Sequence, residues 1–406
     1  MIRRIKIEGF KSLQAVEVEL GSLNLFIGAN ASGKSNFFDA LRVLQGIGYG
    51  FTIGEILDGK PKSANSDVWD PIRGGSARAA FSNGAKADEI RFDVRIELGL
   101  GDHATADFCV SFDPAEGVLT EESLNVGGTR IYSSADIENP RGQPYFEVRR
   151  APGRASRPPH YKFDRTRSVL GQFARSNHCL DQHRPAVSAC LRALSNTQRI
   201  DPSPATLRDY STAQSVKRMG ERGENFAALV KTICADSGTR DAYASWLRQL
   251  WTSEAIEDVS VLHGALGEPL FAIRERGKDQ PAPVLSDGTL RFAAIAAAFF
   301  QPDRPDILTI EELESGIHAS RVRVLVELLR SQSKTGNVQV MATTHSPIVL
   351  AWLNESEFAT TFYCDRDPTT AASNIRPLTR VPDFLRVLNK QPIGELFAEG
   401  WLEGAL

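Results

Sequence analysis

The 406-residue chain is poor in the residue types that narrow a function at first sight. Its five cysteines (Cys109, Cys179, Cys190, Cys234 and Cys364) are scattered, with no C-x-x-C pair. That excludes a disulfide-knitted secreted module and fits reduced thiols in a cytoplasmic protein. "HCLDQH" brings His178, Cys179 and His183 close together, but falls short of the four ligands and paired spacing of structural zinc. No apolar run approaches the ~20 residues needed to cross a bilayer; the longest, Phe292 to Phe300, has nine. The opening "MIRRIKIEGF" has cations but no apolar centre, so it is not expected to act as a secretion signal. Sustained heptads and internal repeats are also missing, which excludes coiled-coil arms and solenoids.

What is present reads as globular: 42% apolar and 24% charged residues. The net charge of −3 hides an uneven distribution. Residues 141–222 hold 16 Lys/Arg against 6 Asp/Glu, a local +10, so the remainder carries −13. "RRAPGRASRPPHYKFDRTR" (Arg149 to Arg167) concentrates seven of those cations around Tyr161 and Phe163. Such composition suits contacts with nucleic-acid phosphates, and suits equally a solvated loop or a docking surface for an acidic partner.

Along the chain, "IRRIKIEGF" and "AVEVEL" alternate as half-buried strands do. "LNLFIGANASGKSNFFDALRVLQGI" reads as a buried strand, a glycine-rich loop and a helix from about Ser35. Residues 51–80 read as loop, and Ile90 to Arg150 as an antiparallel β-lobe. "RPAVSACLRALS", "ENFAALVKTICA" and "RDAYASWLRQLW" read as short packed helices. From about Val259 strands return, followed by an apolar helix after "LSDGT", the buried strand "DILTIEE", an amphipathic helix and the buried strand "VQVMATTHS". Strand–helix–strand alternation at both ends predicts a parallel α/β sheet with the middle inserted into it. The expected divisions are 1–150, a basic and helical insert at 151–258, and 259–406.

"GANASGKS" fits G-x-x-x-x-G-K-[ST], with Gly28, Gly33, Lys34 and Ser35. Glycines let backbone N–H groups converge on phosphate oxygens, and the following helix adds its positive end. Lys34 supplies a cation to the β- and γ-phosphates, and Ser35 a hydroxyl to Mg²⁺. The nucleotide-contacting candidates are Asn30, Ala31, Ser32, Gly33, Lys34, Ser35 and Asn36. Phosphoryl transfer also needs a strand-end acid on the metal and a group that positions the attacking water. "ILTIEE" ends in both, with Glu311 expected at the metal and Glu312 as general base.

These residues carry a resemblance. "LSDGT" (Leu285 to Thr289) resembles the signature loop of ABC-type ATPases, "MATTHS" ends on their switch histidine at His345, and "ESG" (Glu314 to Gly316) stands at their D-loop. With "IKIEGFKSL" and "GANASGKSN", the chain is similar to the RecF–SMC–OLD branch of soluble ATPases. The motifs cover roughly residues 1–50 and 280–350. The resemblance implies an ABC-type P-loop NTPase head with an antiparallel β-lobe and an inserted helical lobe. It implies ATP and Mg²⁺ as ligands, with Ser286 and the Gly288 N–H capping the γ-phosphate bound to a second copy, so that ATP joins two heads. It also implies a setting in DNA repair or phage defence, with DNA or RNA on 141–222 or a separately encoded effector as partner.

Two departures from the family pattern matter: Glu311 stands where Asp is usual, and Leu313 and Ala319 stand where Pro is usual. That leaves the role of His318 open. The Q-loop glutamine has no clear position; Gln172 is a candidate, with a surface role as the alternative. An OLD-like nuclease would need a further metal site, for which "CDRD" (Asp365, Asp367) is the only spacing. An ATPase subunit of a transporter is the other alternative.

Overall fold

A computed structural model describes residues 1–60, 69–82, 89–101, 104–150, 159–250, 256–336 and 338–404. Most of "APGRASRPPH" lies outside them. The chain divides into two compact units.

The first unit comprises residues 1–21, 27–197 and 362–377. Its sheet is antiparallel, in the order β2 (Leu13–Glu19), β1 (Ile2–Phe10), β4 (Ile90–Glu97), β5 (Thr105–Asp113), β6 (Val118–Val126), β7 (Thr129–Ser133), β8 (Tyr145–Arg150), β9 (His160–Asp164). The alternating pattern sets the register: Ile5 faces Val18 and Val94, and Ile7 faces Val16 and Phe92, all buried. The opposite face is laced with ion pairs, including Arg4–Glu17, Arg91–Asp93 and Arg95–Asp107. Four helices accompany it: α1 (Lys34–Tyr49), α2 (Ile53–Asp58), α3 (Val169–Arg175) and α4 (Arg184–Ser195). Helices α1 and α4 pack closely because Gly48 has no side chain; a Cβ there would stand 2.6 Å from the Ser195 nitrogen. A hairpin of β16 (Thr361–Arg366) and β17 (Ser373–Pro377) completes the unit.

The second unit comprises residues 22–26, 198–361 and 378–406. Short buried strands run in the order β10 (Thr197–Ile200), β14 (Ile307–Ile310), β15 (Gln339–Thr344), β3 (Leu23–Ile27). Strands β14 and β15 are parallel and entirely buried, as strands covered on both faces are. An antiparallel group is formed by β11 (Ile256–His263), β12 (Pro269–Glu275) and β13 (Lys278–Pro281). The helices are α5 (Pro204–Leu207), α6 (Phe226–Cys234), α7 (Ser237–Arg248), α8 (Asp287–Phe300), α9 (Val322–Thr335), α10 (Pro347–Ala351), α11 (Phe384–Leu388), α12 (Ile393–Ala398) and α13 (Trp401–Gly404). Helix α8 is buried at every position from Thr289 to Phe300, as a helix apolar on all sides must be.

The segment 151–258, expected as one insert, is shared between the units. Helices α3 and α4 pack on α1, whereas "TQRI" forms β10 beside β14 and draws the residues after it into the second unit.

Candidate functional site

The phosphate loop is built from conformations that only glycine tolerates well. Gly28 has φ +139°, and a Cβ there would lie 2.1 Å from the Cys364 carbonyl oxygen. Gly33 has φ +105°, and its Cβ would meet Ser373 Oγ, also at 2.1 Å. Ala31 takes a left-handed φ of +64°. Lys34 Nζ turns back into the loop and donates to the carbonyls of Gly28 (2.8 Å) and Ala29 (2.7 Å) and to Ser32 Oγ (3.4 Å). Helix α1 begins at Gly33 with no capping side chain and no acid in its first turn. Its positive end is therefore undiminished, which suits an anionic phosphate. Asn36 spends its amide on Ser12 Oγ (2.6 Å), which also accepts from Ser373 Oγ (2.7 Å), so this candidate braces the loop.

Behind the loop lies a charged trio that sequence motifs did not reveal. Buried Asp39 pairs with Lys11 and, at 3.2 Å, with Arg73 Nε, while Arg73 Nη2 donates to the Ser35 carbonyl (2.6 Å). Burial pushes the Lys11 pKa down, and its bond to Asp39 partly restores it. Arg73 comes from the stretch after α2, in a region the sequence reads as loop and where no spacing announced it.

In the second unit the strand-end acids sit on a tight turn. Glu311 lies 3.2 Å from Arg199 Nη2, and the same arginine reaches Glu221 at 3.3 Å. Glu312 is exposed and holds a left-handed φ of +47°. Its N–H donates to Thr343 Oγ1 (2.9 Å), and the Leu313 N–H to the Thr343 carbonyl (3.0 Å). Leu313, in the place of the usual Pro, is fully buried in the core of this unit. Glu314 Oε1 accepts from the His345 N–H at 3.0 Å, which joins the D-loop to the histidine turn at the end of β15. His318 caps a short turn through Ser320: its Nδ1 accepts from the Ser320 N–H at 3.3 Å.

Ser286 caps α8, its Oγ accepting from the Thr289 N–H (3.2 Å) and sharing a bond with Thr289 Oγ1 (2.8 Å). Gly288 packs against the D-loop so closely that a Cβ would stand 2.5 Å from the Gly316 carbonyl oxygen. A cavity of about 410 Å³ opens here, lined by Ser286, Gly288, Gly316, His318, Arg321 and Leu250 among others.

Several other candidates are structurally occupied. Gln172 fastens the loop before α3, accepting from the Asp164 N–H and donating to the Asp164 carbonyl, both at 2.9 Å. Asp365 accepts from Asn374 (2.9 Å), and Asp367 caps the N–H groups of Thr369 and Thr370 (2.8 Å each), so "CDRD" serves the β16–β17 hairpin. His178 stacks on Tyr161 with 3.8 Å between ring centres. Among the described residues no group of three or more His, Cys, Asp or Glu side chains is placed to hold a metal. No helix among the described residues is long and apolar enough to cross a membrane.

Residues 257–351 match a family described as "AAA domain, putative AbiEii toxin, Type IV TA system", and residues 1–60 match "AAA ATPase domain". An "ATP/GTP phosphatase" of Helicobacter pylori is 23% identical over 387 residues, covering 90% of this chain and 92% of its own length. In fold the chain is similar to an SMC head crystallised with the C-winged helix domain of ScpA (TM-score 0.50, 13% identity, 92% of this chain and 97% of that one). It is similar also to an SMC head with an extended coiled coil bound to the C-terminal domain of ScpA, derived from Pyrococcus furiosus (TM-score 0.51, 11% identity, 96% and 99%). With a glycine-built phosphate loop in one unit and paired acids on a strand end in the other, the chain is an ATPase with an ABC-type, SMC-like head fold.

Proposed function

We propose that the chain is an ATP-driven switch whose heads pair face to face on ATP and part on hydrolysis. In this reading the loop Asn30 to Asn36 binds the triphosphate, Ser35 and Glu311 are the residues that would hold Mg²⁺, and the metal would supply positive charge to offset that of the phosphates. Glu312 takes the proton of the attacking water, and His345 and Lys34 contact the γ-phosphate. Ser286 and Gly288 cap the nucleotide of the second copy. The observation that supports the reading is the 410 Å³ cavity at the junction of signature turn and D-loop, lined by Ser286, Gly288 and Arg321.

Pairing is coupled to a macromolecular partner, in DNA repair or phage defence. The toxin–antitoxin wording of the matched family supports defence, and the solved heads carrying ScpA support a protein partner. Nucleic acid on residues 141–222 rests on charge alone. Several of those cations are spent inside the fold: buried Arg165 donates to the carbonyls of Leu119 (3.3 Å) and Asn139 (2.8 Å), and Arg167 pairs with Asp164.

One experiment tests these points together. Glu312→Gln should lower turnover by about 100-fold or more and elute as a dimer with ATP and Mg²⁺, but not with ADP. A DNA duplex added at about 50 mM salt should co-elute and be released by about 200 mM. Turnover at the wild-type rate refutes the base assignment. A monomer with ATP refutes pairing, and no co-elution at low salt refutes nucleic-acid binding.

A further inference from the structure

We propose that Arg291 is a positioning residue for ATP hydrolysis. It fastens the backbone of Glu312 to the signature helix, so that a displacement of the loop Ser286 to Gly288 is carried to the hydrolytic carboxylate. The proposal rests on Glu312 acting on the attacking water.

Arg291 lies on α8, five residues after its cap, Ser286. Its side chain is only 7% exposed. Burying a guanidinium is costly, and here the cost is met by its two Nη groups, since Nε has no partner among the described residues. Nη2 donates to the carbonyls of Glu311 (3.1 Å) and Glu312 (3.2 Å). Nη1 donates to Asp201 Oδ1 (3.1 Å) and the Pro202 carbonyl (3.0 Å). One planar cation thus spans two separate chain segments, which a single ammonium could not match.

The bonds to the acid turn fall where the backbone is strained. Glu312 holds its left-handed φ of +47° with its peptide groups gripped on both sides, the N–H by Thr343 Oγ1 and the C=O by Arg291. Fixing both groups fixes the direction in which Cα presents Cβ, and hence where the carboxylate points. One grip belongs to β15 and the other to the signature helix. A second arginine ties the loop itself to the same neighbouring segment: Arg208 Nη2 donates to the Leu285 carbonyl (2.9 Å) and to Asp287 Oδ1 (2.6 Å). The signature loop, residues 201–208 and the acid turn are therefore bonded as one piece. A phosphate engaging Ser286 and the start of α8 acts on a helix that holds the Glu312 carbonyl.

The test is a double-mutant cycle in steady-state kinetics, with nucleotide affinity and thermal stability measured in parallel. Arg291→Met should lower kcat by about 10- to 100-fold, since a shift of about 1 Å in a catalytic group costs that much, while KM for ATP stays within about twofold. Arg291→Lys should fall between Arg291→Met and the wild type. Combining Arg291→Met with Thr343→Val should cost less in kcat than the product of the single effects, because both grip one residue. If Arg291→Met does not fold, Arg291→Lys with Thr343→Val gives the same cycle. Wild-type kcat in a folded Arg291 variant, a loss confined to KM, or purely multiplicative kcat effects would each overturn the proposal. Glu312→Gln at the wild-type rate would instead remove the reading beneath it, whatever Arg291 does.

Discussion

The phosphate loop and the acid turn both need backbone that ordinary residues resist, and they meet the need in opposite ways. In the loop, besides Ala31 at φ +64°, the crowded positions are Gly28 and Gly33, where neighbouring atoms leave no room even for a methyl group. Their task is to let peptide N–H groups approach a ligand, and a side chain would only obstruct it. In the acid turn the left-handed residue is Glu312, at a cost of order 1–3 kcal/mol for a non-glycine residue. Glycine would relieve that strain but would remove the carboxylate proposed to act on the attacking water. The strain is offset by bonds from outside the turn, from Thr343 and Arg291. Where the backbone does the work, crowding selects glycine; where a side chain does it, distant residues hold a strained backbone in place.

The strongest way to break this contrast is Gly28→Ala. The added methyl meets a backbone carbonyl at 2.1 Å, so the loop must move. ATP affinity should fall about 100-fold or more, roughly 3 kcal/mol, in a fluorescent-nucleotide titration. Affinity within about threefold of wild type would mean that the loop does not need glycine there.

The same contrast explains what the sequence made legible. The phosphate loop was visible because its residues are consecutive and every spacing is local. The acids were visible because an apolar strand ended in charge. The residues that hold them were not: Arg291 is 20 positions from Glu311, Thr343 is 31 from Glu312, and Arg199 reaches Glu311 across more than a hundred. No periodicity marks such contacts. The antiparallel lobe followed its alternation, whereas β10 could not be foreseen, because the four residues "TQRI" carry no pattern that distinguishes a strand from a helix end. The count of cations in the middle of the chain treated every arginine as surface, and Arg165 is buried.

A second buried acid offers a smaller test, because here too a side chain is held by a distant element. Glu122 on β6 is fully buried and accepts from Tyr132 Oη (2.8 Å), Ser168 Oγ (3.0 Å) and the N–H groups of Val169 (2.9 Å) and Leu170 (2.8 Å) at the start of α3. Burial pushes its pKa from 4.5 to about 7, against those donors. Between the two values the folded protein keeps a proton that the unfolded chain has released. Stability from this group is therefore full below about pH 4.5, falls as pH rises, and levels off above about pH 7. The loss is on the order of 3 kcal/mol. Urea unfolding of Glu122→Gln should show a flatter pH dependence across that window; an unchanged slope would mean that Glu122 folds ionised.

The smallest effect separates backbone from side chain most cleanly. Glu312→Gly places at φ +47° the residue that adopts it without cost. The side chain removed is exposed, so little packing is lost. The bonds from Thr343 and Arg291 go to the peptide groups, which glycine retains. Glycine also gains entropy in the unfolded chain, which works against it by about 0.5–1 kcal/mol. Relief of about 1–3 kcal/mol of strain outweighs this entropy, so Glu312→Gly should be as stable as wild type or up to about 2 kcal/mol more stable. Turnover should nevertheless vanish. Substitution by Ala removes the same carboxylate but keeps the strain, so Glu312→Ala should be less stable than Glu312→Gly, the reverse of their order at an ordinary surface position. Glu312→Gly less stable than Glu312→Ala would show that the turn carries no strain and that its outside bonds serve only to aim the carboxylate.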